Sequence, residues 1–139
     1  VEGYQQVNPT QYYVLQNNLN DAVKINGAPD LIAQMLDKLI SNANDYSENN
    51  TDIIIQHQLE HNNVILKVIN KGEPLQQVMI NNLFDSMVSL RQHKTDEPHL
   101  GLGLHIVRLI AEFHLGSVQA YNMDNGLVCF EVSIPVATN

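Results

Sequence analysis

The chain of 139 residues is long enough for a single domain with a buried core, and 44% of its residues are hydrophobic. The net charge of −8 argues against nucleic acid as a partner, because phosphate backbones are bound by basic surfaces. Cys129 is the only cysteine of the sequence, which excludes disulfide frameworks and cysteine-rich metal sites, and we expect it to fill the core.

Membrane insertion and secretion leave no signal in the sequence. No apolar run approaches the ~20 residues that a membrane-spanning helix needs, and no signal peptide is visible. Because the sequence begins at Val1 rather than at a methionine, we expect it to be a piece of a longer protein.

The N-terminal part of the chain predicts one long amphipathic helix. Residues 1–11 are predicted to form a loosely held segment. One or two short strands are expected between residues 12 and 25. The turn at residues 27–30 leads into a helix over Leu31–Tyr46, with Asp30 as the candidate N-cap. The apolar residues of this helix share one broad face, which must pack on something, most simply a sheet.

Two hairpins supply that sheet. The runs at residues 53–59 and 64–69 are rich in β-branched residues, and four polar residues join them. The runs at residues 117–122 and 127–134 flank an Asn-Gly turn and predict a second hairpin, which follows a helix over residues 105–114. The sequence therefore predicts one domain, an α+β two-layer sandwich with helices on one face of a mixed, mostly antiparallel sheet.

The segment at residues 72–100 is long and mixed in character. Met79–Leu90 has helical spacing, whereas residues 91–98 are polar and break it. Compact domains rarely contain such a long connection unless it is a lid or a binding loop. We therefore expect a lid.

The most informative motif is Pro98–Leu104, which continues directly into the predicted helix. Gly101 and Gly103 remove side chains where that helix is expected to begin. The unpaired N–H groups and the positive end of the helix dipole then face open space, as in anion sites. The motif alone is weak, but it gains weight from two partners upstream.

The first partner is a polar stripe on the long helix. Lys38, Asn42 and Asp45 follow one another at i, i+4 and i+7. A carboxamide oxygen on a rigid helix beside an anion site is a suitable Mg²⁺ ligand. The alternative is that Asn42 is a solvated helix residue.

The second partner is the turn Asn70-Lys71-Gly72 at the end of a predicted strand. A short polar side chain followed by glycine lets a flat ring approach the backbone while one side chain reads its edge. Tyr46, one turn beyond Asn42, is placed either to stack on a base or to complete the core.

In this order the motifs resemble the ATP-binding catalytic domain of sensor histidine kinases, which belong to the GHKL or Bergerat-fold ATPases. The resemblance covers about Ala28 to Pro135. Residues 39–47 resemble the N box, 70–74 the G1 box, 83–85 (Leu-Phe-Asp) the F box and 101–104 the G2 box. Residues 84–89 and 98–104 are also similar to sensor kinases that accompany proteobacterial dedicated sortase systems.

The resemblance implies a role for each matched position. Asn42 binds Mg²⁺, Tyr46 lies against the adenine, Asn70 reads its edge, Gly72 lies under the base, and the paired glycines meet the phosphates. The implied catalytic residues are Lys38, Asn42 and Arg91. The implied nucleotide-binding residues are Asn42, Asp45, Tyr46, Asn70, Gly72, Phe84, Arg91, Lys94, His99, Leu100, Gly101, Leu102, Gly103 and Leu104.

The implied activity is transfer of the γ-phosphoryl group of Mg·ATP to a histidine on a dimerisation domain. Arg91 and Lys94 are then lid cations at the γ-phosphate, or alternatively solvated loop charges. The implied partners are that dimerisation domain and a response regulator, in a dimeric parent protein anchored in the inner membrane with this domain in the cytoplasm. No histidine of the chain is followed by the pattern of a phospho-acceptor.

Several positions depart from the family pattern. Lys38 stands where Asn or a water-activating Glu is usual, and an ammonium group cannot act as that base. Asp45 stands where a phosphate-binding Lys or Arg is common, and Asn70 replaces the more usual Asp. Pro74 and Leu115 replace glycines.

Two rival functions therefore remain open. One is a degenerate domain with weak or no nucleotide binding that acts through protein contacts. The other is a self-contained GHKL hydrolase, against which the missing Glu at position 38 argues.

Overall fold

The computed structural model describes residues 12–18, 25, 27–85 and 99–137, and the structural statements below refer to these residues. The side chains of residues 12–18 and 99–102 lie outside this description. The elements are β1 (Tyr12–Asn18), α1 (Pro29–Tyr46), β2 (Asp52–Glu60), β3 (Asn63–Lys71), α2 (Gln77–Asn82), α3 (His99–Phe113), β4 (Ser117–Asn122), a short 3-10 turn (Asp124–Gly126) and β5 (Leu127–Pro135).

The five strands form one mixed sheet in the order β1-β2-β3-β5-β4. β1 runs parallel to β2, and the other neighbouring pairs are antiparallel. This arrangement confirms the predicted two-layer α+β sandwich with a mostly antiparallel sheet. β3 is the central strand of the sheet, so the turn that follows Lys71 lies at the middle of one sheet edge.

The hairpins follow from residues that tolerate positive φ. His61 and Asn62 form the β2–β3 turn with φ values of 51° and 67°, and Asn125 and Gly126 have φ values of 65° and 76° before β5. Asn and Gly accept this backbone region with little cost, and the two-residue turn between β2 and β3 matches the twist of the strands.

The core lies between the sheet and the helices α1 and α3. Alternate residues of the strands face the helices, so Val68 of β3 lies opposite Phe130 of β5 in the register. The fully buried core side chains (at most 2% exposed) are Met35, Leu39, Ile40, Ala43, Ile53, Val68, Leu83, Leu104, Val107, Ala111 and Val132. The predicted apolar face of the first helix is therefore confirmed.

Cys129 is fully buried, as predicted for a residue that fills space. Its register partners are Ile69 on β3 and Tyr121 on β4. It faces away from the main helix-facing cluster, because Val128 and Phe130 on either side of it belong to that cluster.

The predicted N-cap of the first helix is wrong. The N-cap is Ala28 without a side-chain hydrogen bond, and Pro29 occupies the first helical turn together with Asp30. Proline suits that position because its missing N–H is not needed there, and the Asp30 carboxylate is favourable beside the positive helix end.

The helix predicted over Met79–Leu90 is shorter and begins earlier. α2 ends at Asn82, and the chain continues through Leu83 into the core. The rest of the predicted lid, with Arg91 and Lys94, lies outside the described residues, as does the segment at residues 1–11.

Candidate nucleotide-binding site

A small groove lies between the C-terminal half of α1 and the start of α3. The two helices run in opposite directions, since Gly103 near the start of α3 approaches Lys38, whereas His114 just after its end reaches Ala28. The residues that line the groove are Asp37, Lys38, Ser41, Asn42, Asp45, Gly103 and Leu104. The structure thus brings together the polar stripe of α1 and the second glycine of the Gly-x-Gly motif, as predicted.

Gly103 lines this groove opposite Lys38. A Cβ atom at position 103 would meet the Lys38 side chain at 3.8 Å, an ordinary van der Waals distance. The fold therefore does not require glycine there for steric reasons. What the missing side chain provides is space beside Lys38.

The helix starts earlier than the glycines suggest. α3 begins at His99, so Gly101 is its third residue and Gly103 its fifth. Only the first four N–H groups of an α-helix lack a partner within the helix. The amides of His99, Leu100, Gly101 and Leu102 thus have no partner within the helix, whereas Gly103 contributes the absence of a side chain.

Asn42 is buried in the wall of the groove with an unsatisfied amide. Its residue exposure is 5%, and its Nδ2 atom has no hydrogen-bond partner. Leaving a buried polar group unpaired costs about 1–3 kcal/mol. Asn42 is therefore not a solvated helix residue, and an acceptor placed beside Nδ2 would remove that cost.

The charges of the groove are mixed. Lys38 contributes an ammonium group, and Asp37 and Asp45 contribute carboxylates. An anionic ligand alone meets repulsion from the carboxylates, whereas an anion with a divalent cation meets groups of both signs. The described residues contain no cluster of three or more His, Cys, Asp or Glu side chains that would hold a metal ion by themselves.

Asn70, Gly72 and Tyr46 meet at the far end of α1. Asn70 is 2% exposed, and its Oδ1 atom has no hydrogen-bond partner. A Cβ at Gly72 would lie 2.7 Å from the Tyr46 carbonyl oxygen and 3.2 Å from Asn70 Nδ2, so only glycine fits there. The predicted grouping of these three residues is present, and Gly72 also has a purely steric reason to be glycine.

Backbone hydrogen bonds hold this turn in place. The Glu48 N–H donates to the Lys71 carbonyl at 2.8 Å, and the Gly72 N–H donates to the Gly126 carbonyl at 3.1 Å. The end of α1, the end of β3 and the turn before β5 are thereby joined.

Asn122 reinforces the same segment, and sequence reasoning missed it. Its Oδ1 accepts from the Leu75 N–H at 2.8 Å, and its Nδ2 donates to the Leu75 carbonyl at 2.9 Å. The side-chain amide thus pairs with the backbone as a neighbouring strand would. The only available signal was a polar residue at the end of a predicted strand.

The Phe84-Asp85 motif is fastened to α3 by two residues that were not predicted. Phe84 belongs to the core, and its carbonyl accepts from His105 Nδ1 at 3.1 Å. Arg108 Nη1 donates to Asp85 Oδ1 at 2.7 Å, and Arg108 Nε lies 3.4 Å from Glu112. The placement of Phe84 in the core gives it a packing role beside its predicted role at the nucleotide.

His114 joins the ends of α1 and α3 opposite the groove. Its Nδ1 donates to the Ile110 carbonyl at 2.7 Å, and its Nε2 accepts from the Ala28 N–H at 3.1 Å. This pairing assigns the neutral imidazole with the proton on Nδ1, because a carbonyl accepts and a backbone N–H donates.

The remaining predicted residues fall outside these contacts. The side chains of His99, Leu100 and Leu102 lie outside the description, and Leu104 packs in the core with 1% exposure. None of the described helices is both long enough and apolar enough to cross a membrane.

A two-layer α+β domain whose two longest described helices enclose a groove is the architecture of a GHKL ATPase domain. Residues 27–138 match the family described as "Histidine kinase-, DNA gyrase B-, and HSP90-like ATPase", and the chain belongs to this family. Within it, the similar solved structures are histidine kinase domains.

The catalytic domain of histidine kinase ThkA superposes with a TM-score of 0.78 at 25% identity, covering 96% of this chain and 84% of that one. The mycobacterial sensor histidine kinase MprB, with a TM-score of 0.80 at 13% identity and coverage of 99% and 90%, supports the fold alone.

Curated relatives are sensor proteins of much greater length. The sensor protein KdpD of Clostridium acetobutylicum is 28% identical over 116 residues, which is 83% of this chain but 13% of KdpD. The heme sensor protein HssS of Staphylococcus aureus is 29% identical over 115 residues, 83% of this chain and 24% of HssS. The chain thus corresponds to the histidine kinase ATPase domain of two-component sensor kinases.

Proposed function

We propose that this domain binds Mg·ATP in the groove between α1 and α3 and donates the γ-phosphoryl group to a histidine on a dimerisation domain of the same parent protein. The observation that carries the proposal is the buried Asn42 amide, whose Nδ2 atom has no partner, in the wall of a groove that Gly103 also lines. A solved relative, ShkA, is described in complex with AMPPNP, although its 17% identity supports only the fold.

The residues of the groove fit a magnesium ion bound together with phosphate. Asn42 is the ligand that this chain offers, and Asp45 one turn away adds negative charge. When bound, Mg²⁺ neutralises phosphate charge and orients the transferred group. Its unpaired Nδ2 atom is a hydrogen-bond donor and would pair with a phosphate oxygen, whereas its side-chain oxygen would be the ligand of the ion.

Lys38 takes the role of a phosphate-binding cation in this proposal. Its ammonium group lies on the same groove wall as Asn42, one turn earlier, and faces the space left by Gly103. Lysine binds phosphate as a point charge without requiring one fixed geometry. The positive charge that the family usually carries at position 45 is thus supplied at position 38.

The base is proposed to bind beyond the groove at the C-terminal end of α1, near Asn70, Gly72 and Tyr46. Asn70 offers a buried acceptor, and the turn around Gly72 brings backbone close to the site. Amides at the start of α3 meet the phosphates, with Arg91 and Lys94 reaching the γ-phosphate from the lid.

The wider setting follows from the relatives. Because KdpD and HssS are several times longer than this chain, we propose that the parent protein adds the dimerisation domain and a membrane anchor, and that this domain lies in the cytoplasm. ThkA is described in complex with the response regulator TrrA, and we propose a response regulator as the downstream partner here.

Calorimetric titration with ATP, with and without Mg²⁺, tests nucleotide binding. The matched pair of variants is Gly103→Leu, which fills the groove, and Ala33→Leu, which adds a similar side chain at an exposed position of α1. We expect Mg²⁺-dependent heat for the wild type and Ala33→Leu, and its loss in Gly103→Leu. No heat at millimolar nucleotide would refute the proposal.

A second candidate is a degenerate domain that binds partners rather than nucleotide. The observation that favours it is the pair of carboxylates, Asp37 and Asp45, in the groove. The double variant Lys38→Asn with Asp45→Lys restores the usual family charges. A large gain in ATP affinity from undetectable binding, seen only in the double variant, would establish the degenerate domain.

A further inference from the structure

The groove end of α3, from its first residue to Leu104, is held differently from the opposite end of the helix. At the opposite end, His114 accepts a hydrogen bond from the Ala28 N–H, which joins α3 directly to the start of α1. At the groove end, Gly103 and Leu104 line the groove that lies between the two helices. The position of this end therefore depends also on the contacts that α3 makes on its other side.

Two side chains on that other side of α3 bind consecutive residues of the Phe84-Asp85 segment. His105 Nδ1 donates to the Phe84 carbonyl at 3.1 Å, and Arg108 Nη1 donates to Asp85 Oδ1 at 2.7 Å. Since each residue of an α-helix turns by about 100°, His105 and Arg108 lie about 200° and 140° around α3 from Gly103. They therefore attach α3 to a support on the side away from α1.

The support itself is fixed in the fold. Phe84 belongs to the buried core, and the Asp85 N–H donates to the Asn82 carbonyl at 3.1 Å. Glu112, one turn beyond Arg108 on α3, lies 3.4 Å from Arg108 Nε. The guanidinium is thus placed between two carboxylates, of which only Asp85 lies outside α3.

We propose that Arg108 is a positioning residue for nucleotide binding, which acts by binding Asp85 and thereby fixing the groove end of α3 relative to α1. This inference rests on the proposed function, because it takes the groove as the site of Mg·ATP. Arg108 does not contact the ligand in this proposal. It acts through Gly103 and through the amides at the start of α3.

The exposure of the ion pair limits the size of the effect. The side chains of Arg108 and Asp85 are 37% and 40% exposed. Ion pairs that are partly open to solvent change an equilibrium by about threefold, and by about fivefold at most. A single N–H to oxygen contact at 2.7 Å is also one that a lysine ammonium group can replace.

The test measures the affinity for Mg·ATP by calorimetry in Arg108→Met, in Asp85→Asn and in the variant that combines them. Arg108→Lys keeps the charge and tests rescue by a conservative change. Lys67→Met is the matched control, because it breaks the ion pair of Lys67 with Glu131 on the sheet face away from the helices. Urea unfolding establishes that each variant is folded at the temperature of the titration, so that a weaker affinity does not reflect unfolded chain.

We expect the dissociation constant to rise about three- to fivefold in Arg108→Met and in Asp85→Asn, and no further in the combined variant. Arg108→Lys and Lys67→Met should stay within about twofold of the wild type.

A folded Arg108→Met with unchanged affinity would overturn the inference, as would a combined variant in which the two single effects multiply or an equal loss in Lys67→Met. If Arg108→Met does not fold, Asp85→Asn decides by the same criteria. Absence of heat in the wild type as well as in the variants would instead refute the proposed function.

Discussion

Leu115 carries a backbone strain that glycine would relieve, and its position allows the size of the effect to be calculated. It follows α3 with φ of 64°, in the left-handed region, and its side chain is 84% exposed. The Leu115 N–H donates to Glu112 at 3.0 Å and the Gly116 N–H to Ala111 at 2.8 Å, which together form a Schellman motif with leucine at the glycine position.

The expected stabilisation by Leu115→Gly is the difference of two opposing effects. The left-handed conformation costs about 1–2 kcal/mol for a residue with a Cβ. Glycine also gives the unfolded chain more conformational freedom, which lowers the free energy of unfolding by about 0.4–1 kcal/mol. Because the leucine side chain is exposed, its removal loses little burial. We expect a net gain of about 0.5–1 kcal/mol in the free energy of unfolding.

Urea denaturation followed by circular dichroism measures this gain as a shift of the midpoint at constant slope. In thermal unfolding we expect a rise of about 2–4 °C for a chain of this length. Leu115→Ala is the control, because it removes the exposed side chain but keeps the Cβ, and it should stay within about 0.5 kcal/mol of the wild type. If Leu115→Gly were no more stable than Leu115→Ala, the strain argument would be refuted.

Two further predictions concern the segment after Gly72 and the buried thiol. Asn122→Asp should lower the free energy of unfolding by about 1 kcal/mol. The carboxylate keeps the hydrogen bond from the Leu75 N–H but meets the Leu75 carbonyl oxygen without a hydrogen between them. An unchanged urea midpoint would contradict this prediction. Burial raises the pKa of the Cys129 thiol, so the unfolded chain releases this proton at lower pH than the folded chain. Stability should therefore decline as pH rises above about 8.5, and Cys129→Ala should show a weaker decline in urea midpoints measured from pH 7 to 10.

The sequence allowed the elements and their order to be predicted wherever the pattern is local. The strands alternate apolar and polar residues, and the apolar stripe of α1 follows helical spacing, so both could be recognised over short windows. The start of α1 was misplaced because Asp30 is a plausible cap, while the actual start is determined by Pro29. The short α2 was overextended because helical spacing continues after Asn82, whereas burial of Leu83 and Phe84 ends the helix.

The contacts that could not be predicted join residues far apart in the chain. His114 bonds to Ala28 across 86 positions, and Asn122 bonds to Leu75 across 47. Each is a side-chain bond to a backbone group, whose direction depends on the final packing of helices and strands. Asn42 and Asn70 were predicted because their motifs are short, but their burial and unsatisfied atoms emerge only from the folded chain.

The departures from the family pattern lie at two different places along the α1–α3 pair. Leu115 lies beside His114, which joins the two helices at the end away from the groove. The strained backbone of Leu115 therefore lowers the free energy of unfolding. Lys38 and Asp45 line the groove itself, so we expect their exchange of charge to change the affinity for nucleotide. A glycine at 115 should therefore leave nucleotide affinity unchanged while raising stability. Altering Lys38 or Asp45 should change affinity with little effect on the unfolding midpoint, since neither side chain belongs to the core.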